Sequence, residues 1–111
     1  MKISATPLKR CDLVKLSGRI DSSNADTLLE ALQTINNEER FKIVLDMSEV
    51  DFMSSKGWWA LIQTQKACKR YNRGEVLLAN VPARINETLG LVGMKDYFRH
   101  FGDTTEAVGS F

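Results

Sequence analysis

Two adjacent serines, Ser54 and Ser55, stand out for the chemistry that their position would allow. They come directly before a segment with helical spacing of apolar residues, so they lie at the predicted start of a helix. A helix N-terminus carries unpaired amide groups and a partial positive charge, and it therefore accommodates an anion. Phosphorylation of a serine there adds about two negative charges and strong acceptor oxygens. The position suits a phosphorylation switch.

The same serines also have a structural interpretation, which the pattern alone favours. Serine is a preferred N-cap, so Ser54 would cap the helix and Ser55 would occupy its first turn. Lys56 argues weakly for function, because a cation in the first turn opposes the helix dipole at a cost of roughly a few tenths of a kcal/mol. Both interpretations remain open at this point.

A tryptophan pair, Trp58 and Trp59, follows the serines. Neighbouring helical residues point about 100° apart, so the two rings cannot share one face. Trp58 lies on the apolar face with Leu61 and Ile62, and we expect it to pack. Trp59 lies on the side of Lys56, where it is either exposed or covered by a neighbouring loop. An exposed tryptophan beside a switch serine would suit an interface hot spot.

Other polar residues do not assemble a catalytic site in the sequence. His100 is the single histidine, and the two cysteines are far apart, so we expect neither a metal nor a cofactor and predict that the protein is not an enzyme. We expect Asp46 and Asp51 to bond local backbone amides in a loop. The cysteines, Cys11 and Cys68, are expected to be reduced packing residues.

Composition and charge narrow the class of protein. The chain has 111 residues, 43% hydrophobic and 26% charged, which predicts a single globular domain over residues 1–111. Its 15 basic and 14 acidic residues leave a net charge of +1, so bulk charge favours no nucleic-acid partner. The basic run at 66–70 is interpreted as a solvated helix end. No apolar run could span a membrane or serve as a signal peptide, and we expect a cytoplasmic monomer.

Strands and helices alternate along the chain after a first hairpin. This order predicts an α/β fold with a mixed sheet of four to five strands and about four helices. Predicted strands cover residues 2–8, 13–20 with a bend or bulge at Gly18, 41–45 and 75–79. Residues 94–101 are predicted to form either a short final strand or an anchoring segment. Four helices are predicted. The first follows a capping pair, Ser23 and Asp26, and the second runs over residues 55–71. The third starts at Pro82 and ends by Gly93, and a short fourth helix starts after Asp103.

Two connecting segments carry specific expectations. We expect residues 46–55 to form a loop in which Val50 and Phe52 point inward. We expect Gly74 to end the second helix in a left-handed conformation.

The segment around the serines closely resembles the phosphorylation loop of STAS domains. The matching residues are Asp46-x-Ser48-x-x-Asp51-Phe52-x-Ser54-Ser55-x-Gly57. Gly18-Arg19-Ile20-Asp21 is similar to the family's Gly-x-Leu-Asp element, and residues 89–94, followed by Tyr97-Phe98, look like its third helix and exit. These elements occur in the family's order and cover essentially the whole chain. The sequence thus resembles the anti-sigma factor antagonists of this family.

The resemblance implies a bacterial partner-switching regulator. Such a domain, when unphosphorylated, binds an anti-sigma factor that is also a serine kinase of the histidine-kinase-like ATPase class. Phosphorylation releases it, and a metal-dependent serine phosphatase restores it. The family's phosphoacceptor falls on Ser55, and the partner-binding residues implied are Asp21, Ser54, Ser55, Lys56 and Trp59.

Two departures from the family pattern affect this interpretation. Ser54 stands where the family often has aspartate, so it is an alternative phosphoacceptor. Lys56 stands where the family often has a small residue, and its charge would lessen the repulsion caused by a phosphate. A different role is also left open, because STAS-like domains occur as constitutive accessory subunits of transporters and of stress-sensing complexes.

Overall fold

Five strands form one sheet in the order in which they occur in the chain. The computed structural model describes residues 1–111. The strands are β1 (Lys2–Pro7), β2 (Asp12–Ile20), β3 (Lys42–Met53), β4 (Glu75–Ala79) and β5 (Arg99–Phe101). The β1–β2 hairpin is antiparallel, and the three other pairs are parallel.

Four helices connect or follow the strands. They are α1 (Ala25–Asn37), α2 (Ser55–Lys69), α3 (Ala83–Leu91) and α4 (Thr104–Gly109). Short 3-10 turns occupy Arg70–Asn72 and Lys95–Tyr97. The predicted α/β fold with a mixed sheet is confirmed. No helix combines the length and the apolar character needed to cross a membrane.

The alternation of side chains along β3 divides the core into two layers. Ile43, Leu45 and Met47 are fully buried on the face covered by α1, α2 and α3, within a cluster of 19 buried residues. Val44 points to the opposite face, where a cluster of 5 buried residues includes Ala107 of α4. Because both faces are covered, the central strands contain continuous apolar runs.

The expected loop over residues 46–55 is wrong, since β3 continues to Met53. Its second half pairs with the second half of β2, and register shifts next to Ser17 and Gly18 accommodate the mismatch in length. Gly18 has a φ of 85° at one of these shifts, where the sequence predicted a bend. Val50 is buried as expected.

Phe52 does not point into the core, contrary to the prediction. It is 37% exposed, and the guanidinium of Arg19 lies 3.9 Å from the centre of its ring. Arg19 is the register partner of Phe52 across β2 and β3. Its guanidinium group therefore covers the Phe52 ring, which lies outside the core.

The expected ends of two helices also differ. Ser23 and Asp26 form no capping box, because Ser23 bonds the Asp21 carboxylate instead and Asn24 occupies the N-cap position of α1. Gly74 is not left-handed; Tyr71 and Asn72 take that conformation, with φ of 59° and 55°. A β-carbon at position 74 would overlap the carbonyl group of Phe41, so close packing explains the glycine.

Candidate functional site at the start of helix α2

Helix α2 begins where β2 and β3 end together. Ile20 pairs with Met53, and the amide of Ser54 donates to the carbonyl oxygen of Ile20 at 2.9 Å. A β-carbon at Gly57 would overlap the sulfur of Met53 and lie 2.9 Å from Cγ2 of Ile20. The absence of a side chain at position 57 therefore lets the first turn of α2 rest directly on the strand ends.

The two serines have different environments. Ser54 is extended, with φ −78° and ψ 167°, and its hydroxyl oxygen accepts a hydrogen bond from the Gly57 amide at 3.1 Å. It is the N-cap, as the structural interpretation predicted. Ser55 is exposed, and its hydroxyl group forms no hydrogen bond within the chain. Of the two hydroxyl groups, that of Ser55 is the accessible one.

Asp21 lies beside this junction, because it directly follows Ile20. Its carboxylate accepts hydrogen bonds from the Ser23 hydroxyl at 2.5 Å and the Ser23 amide at 3.0 Å. These bonds, with the charge of Arg19 at 3.4 Å, lower the pKa of Asp21. The loop that precedes α1 thus presents a negative charge close to the start of α2.

Lys56 connects the first turns of two helices. Its ammonium nitrogen lies 3.4 Å from Oδ2 of Asp26 in α1. Both side chains are exposed, at 44% and 69%, so the ion pair contributes at most about 1 kcal/mol. Asp26 of α1 thus provides an acidic partner for Lys56, the cation that opposes the dipole of α2.

The two tryptophans separate into a packing residue and a surface residue. Trp58 is 1% exposed, and its indole nitrogen donates to Oγ1 of Thr88 in α3 at 2.8 Å. Trp59 is 44% exposed and lies one turn after Lys56 on the outer side of α2. An aromatic ring thus lies on the surface next to the two serines.

The remaining aspartates have structural partners. Asp46 accepts from the Ser48 amide at 3.1 Å, as expected, and from Nδ2 of Asn80 at 3.3 Å. Asp51 instead lies 3.9 Å from the guanidinium of Arg84, so its expected bonding to local amides is wrong. No three His, Cys, Asp or Glu side chains come together in a way that could hold a metal ion.

Residues of α3 that the sequence did not single out support the site. Arg84 donates to the backbone oxygen of Asp51 as well as pairing with its carboxylate, and Thr88 holds Trp58. These partners are 33 and 30 residues apart in the chain. No local pattern predicts contacts of that range, so only the packing of α3 against β3 and α2 reveals them.

Comparison with known proteins identifies the fold family. The model of the STAS domain family matches residues 2–108. The chain belongs to the STAS domain family. The expected family and the expected fold are therefore confirmed.

Solved structures with this fold include regulators and a transporter-family protein. An anti-sigma factor antagonist from Mycobacterium paratuberculosis is 20% identical, with a TM-score of 0.85 and 98% and 92% of the two chains covered. The Bacillus cell fate determinant SpoIIAA, in its phosphorylated form, is 14% identical, with a TM-score of 0.75 and 98% of each chain covered. A sulfate transporter family protein from Wolinella succinogenes is 24% identical, with a TM-score of 0.73 and 88% and 81% covered. At these identities the similarity shows a common fold.

Proposed function

We propose that this STAS domain is an anti-sigma factor antagonist that works by partner switching. In the unphosphorylated state it binds an anti-sigma factor that is also a serine kinase of the histidine-kinase-like ATPase class. Phosphorylation of Ser55 releases it, and a serine phosphatase returns it to the binding state. The observation that carries the proposal is the exposed, unbonded hydroxyl group of Ser55 at the N-terminus of α2.

The geometry favours Ser55 over Ser54 as the phosphoacceptor. A kinase must bring the attacking hydroxyl into line with the γ-phosphate of ATP, which requires a free and accessible group. Ser55 meets this requirement, whereas the oxygen of Ser54 is engaged with the Gly57 amide and is half-buried. Phosphorylation of Ser54 would also disturb the cap of α2, so that residue is the less suitable acceptor.

The proposed contact surface surrounds this hydroxyl. It comprises Asp21, Ser54, Ser55, Lys56 and Trp59, with the exposed ring of Trp59 as its apolar anchor. A phosphate on Ser55 would add about two negative charges next to the loop that carries Asp21, while Lys56 is engaged by Asp26. The switch would therefore act by charge at the interface, without a large change of fold.

The phosphoacceptor is tested with the cognate kinase and ATP. Intact-mass measurement should show one added phosphate on the protein and none on Ser55→Ala, while Ser54→Ala is the matched control and should still be modified. Full modification of Ser55→Ala would transfer the role to Ser54 or another residue.

The binding surface is tested separately. The affinity of the unphosphorylated protein for the anti-sigma factor kinase should fall in Trp59→Ala. It should stay unchanged in Tyr71→Ala, which removes an 84% exposed ring beyond the other end of α2. Unchanged affinity in a folded Trp59→Ala protein would remove Trp59 from the interface.

A second function is a constitutive accessory subunit of a transporter or a stress-sensing complex. The shared fold with a sulfate transporter family protein favours keeping this alternative. Such a subunit would bind its partner irrespective of phosphate. Partner affinity of Ser55→Asp compared with Ser55→Ala separates the two functions, because only a switch makes the acidic variant weaker. A neighbouring gene for a kinase-like ATPase would also favour switching, and transporter genes would favour the subunit.

A further inference from the structure

Strand β1 forms one edge of the sheet and is longer than the strand at the other edge. It has 6 residues, Lys2–Pro7, whereas β5 has 3, Arg99–Phe101. Long edge strands offer unpaired amide and carbonyl groups to another chain, so proteins usually protect them with charges, proline or bulges. In β1 the only charged residue is Lys2 and the only proline is Pro7, at the two ends of the strand. The residues between them carry no such protection.

The hairpin determines which backbone groups of β1 face outward. β1 and β2 pair along the whole of β1 without a register shift, and the amide of Leu8 donates to the carbonyl oxygen of Cys11 at 2.8 Å. Bonded and non-bonded pairs alternate in an antiparallel ladder. The even-numbered residues of β1 therefore bond β2, and the amide and carbonyl groups of Ile3 and Ala5 face away from the sheet. Pro7, which has no amide hydrogen, occupies the next outward-facing position.

A second copy of β1 fits this edge in the antiparallel register that centres on Ser4. When Ser4 lies opposite Ser4 of the second copy, Ile3 of each copy lies opposite Ala5 of the other. Both residues then exchange amide-to-carbonyl bonds, so every outward-facing group of the pair is satisfied. A register shifted by two residues toward Pro7 would set its ring against the new ladder. The register centred on Ser4 leaves Pro7 beyond the paired segment.

The side chains of β1 are complementary in this register. Ile3 and Ala5 line the α1 side of the strand, where an open groove of about 660 Å³ lies between β1 and α1. Small side chains, Ala5 on β1 and Ala31 on α1, leave this groove open. The larger Ile3 of the second copy would lie beside Ala5 and cover the open side of the groove. On the other side of the sheet Lys2 would lie opposite Thr6, so no like charges meet.

We propose that the edge of β1 binds a second copy of this chain and forms a two-fold symmetric dimer with one continuous sheet. The order of the residues favours a second copy over an unrelated strand, because a large and a small side chain stand at equal distances on either side of Ser4. The proposal replaces the monomer expected from the sequence. It does not depend on the proposed switch, since β1 pairs only with β2 and Ser55 follows β3.

Sedimentation equilibrium of the purified full chain measures the dimer. Because the paired segment is short, we expect a weak dimer, with monomer prevailing at about 1 µM protein and dimer prevailing at about 1 mM. A protein that stays monomeric at about 1 mM would overturn the proposal.

Charges at position 4 test the two-fold axis, because a residue on this axis lies opposite itself. Ser4 is exposed, so Ser4→Lys and Ser4→Glu should fold, and each should raise the dissociation constant at least about tenfold through like-charge repulsion. Mixing the two variants should restore association, and salt should weaken it. The control is Thr105→Lys in α4, which packs on β3, β4 and β5 and should leave the dimer unchanged. Undiminished dimers of both Ser4 variants would overturn the proposal.

Two more variants test the backbone pairing and its register. Ala5→Pro removes an outward-facing amide without touching the β1–β2 ladder, so it should weaken the dimer at least about tenfold. Ser4→Cys should form an intermolecular disulfide under mild oxidation, because facing non-bonded residues have Cα atoms about 4.5 Å apart. The original protein, whose Cys11 and Cys68 are buried, should form none.

Circular dichroism checks that each variant is folded, and the two charged Ser4 variants keep the test decisive if Ala5→Pro is not. A dimer that folded Ala5→Pro leaves unweakened would assign association to another surface and overturn the proposal. Absence of the disulfide in a dimeric Ser4→Cys protein would do the same, because Ser4 would then not lie on the axis.

Discussion

The amide of Ser54 and the carbonyl oxygen of Ile20 form a 2.9 Å hydrogen bond that joins the end of β2 to the start of α2. The residues that follow each partner are Ser55 and Asp21. One backbone contact therefore places the exposed hydroxyl group and the carboxylate-bearing loop side by side. The phosphoacceptor proposal depends on this junction more than on any single side chain.

Exchanging the two serines for alanine should affect stability unequally. Ser54→Ala removes the side-chain cap of α2 and should lower the free energy of unfolding by about 1 kcal/mol. Ser55→Ala removes an exposed hydroxyl group without a partner and should change it by less than about 0.5 kcal/mol. Urea denaturation of both variants measures the difference. Equal losses would show that Ser55 has a structural role.

Alanine at two helical glycines should have effects of opposite sign. Gly57→Ala should destabilise the protein by roughly 1–3 kcal/mol, because the new methyl group would overlap Met53 and crowd Ile20. Gly90→Ala in α3 is the matched control, since a β-carbon there meets no atom within 4 Å. It should stabilise the protein by up to about 1 kcal/mol through helix propensity. Thermal unfolding measures both; stabilisation by Gly57→Ala would contradict the close packing at the junction.

Asp21 should titrate below the ordinary range of an aspartate. The Ser23 hydroxyl group, the Ser23 amide and Arg19 lower its pKa in the folded protein. Its contribution to stability is therefore present above the pKa of the unfolded chain, about 3.9, and is lost as the pH falls through the lower folded value. NMR titration of the carboxyl carbon measures this pKa, and Ser23→Ala should raise it. An unchanged value in that variant would assign the shift to another group.

The thiol of Cys68 should be unreactive in the native protein. Burial raises its pKa to about 11, so the thiolate is absent at neutral pH. A thiol reagent at pH 8 should label Cys68 only after unfolding, measured in a Cys11→Ala background. The neutral thiol should favour the folded state fully below its unfolded pKa of about 8.5, and this contribution should be lost as the pH rises toward 11. Rapid labelling of the native protein would contradict the burial.

Local patterns predicted most elements but misjudged β3. The apolar run of Ile43 to Leu45 predicted a buried strand, and the polar residues that follow predicted a loop. The chain stays extended because the second half of β2 supplies hydrogen-bond partners for residues up to Met53. A strand with one exposed, polar face is recognisable only when its neighbour is known.

The sequence by itself determined the alternation of strands and helices, the cap at Ser54 and the resemblance to STAS domains. These features depend on residues a few positions apart, whose periodicity and hydrogen bonds are local. Tertiary structure decided that Trp58 is buried against Thr88 while Trp59 is exposed. It also decided that Gly57 must be small, because its neighbours come from strand ends. Exposure and close packing depend on residues distant in the chain, and only the folded arrangement brings these together.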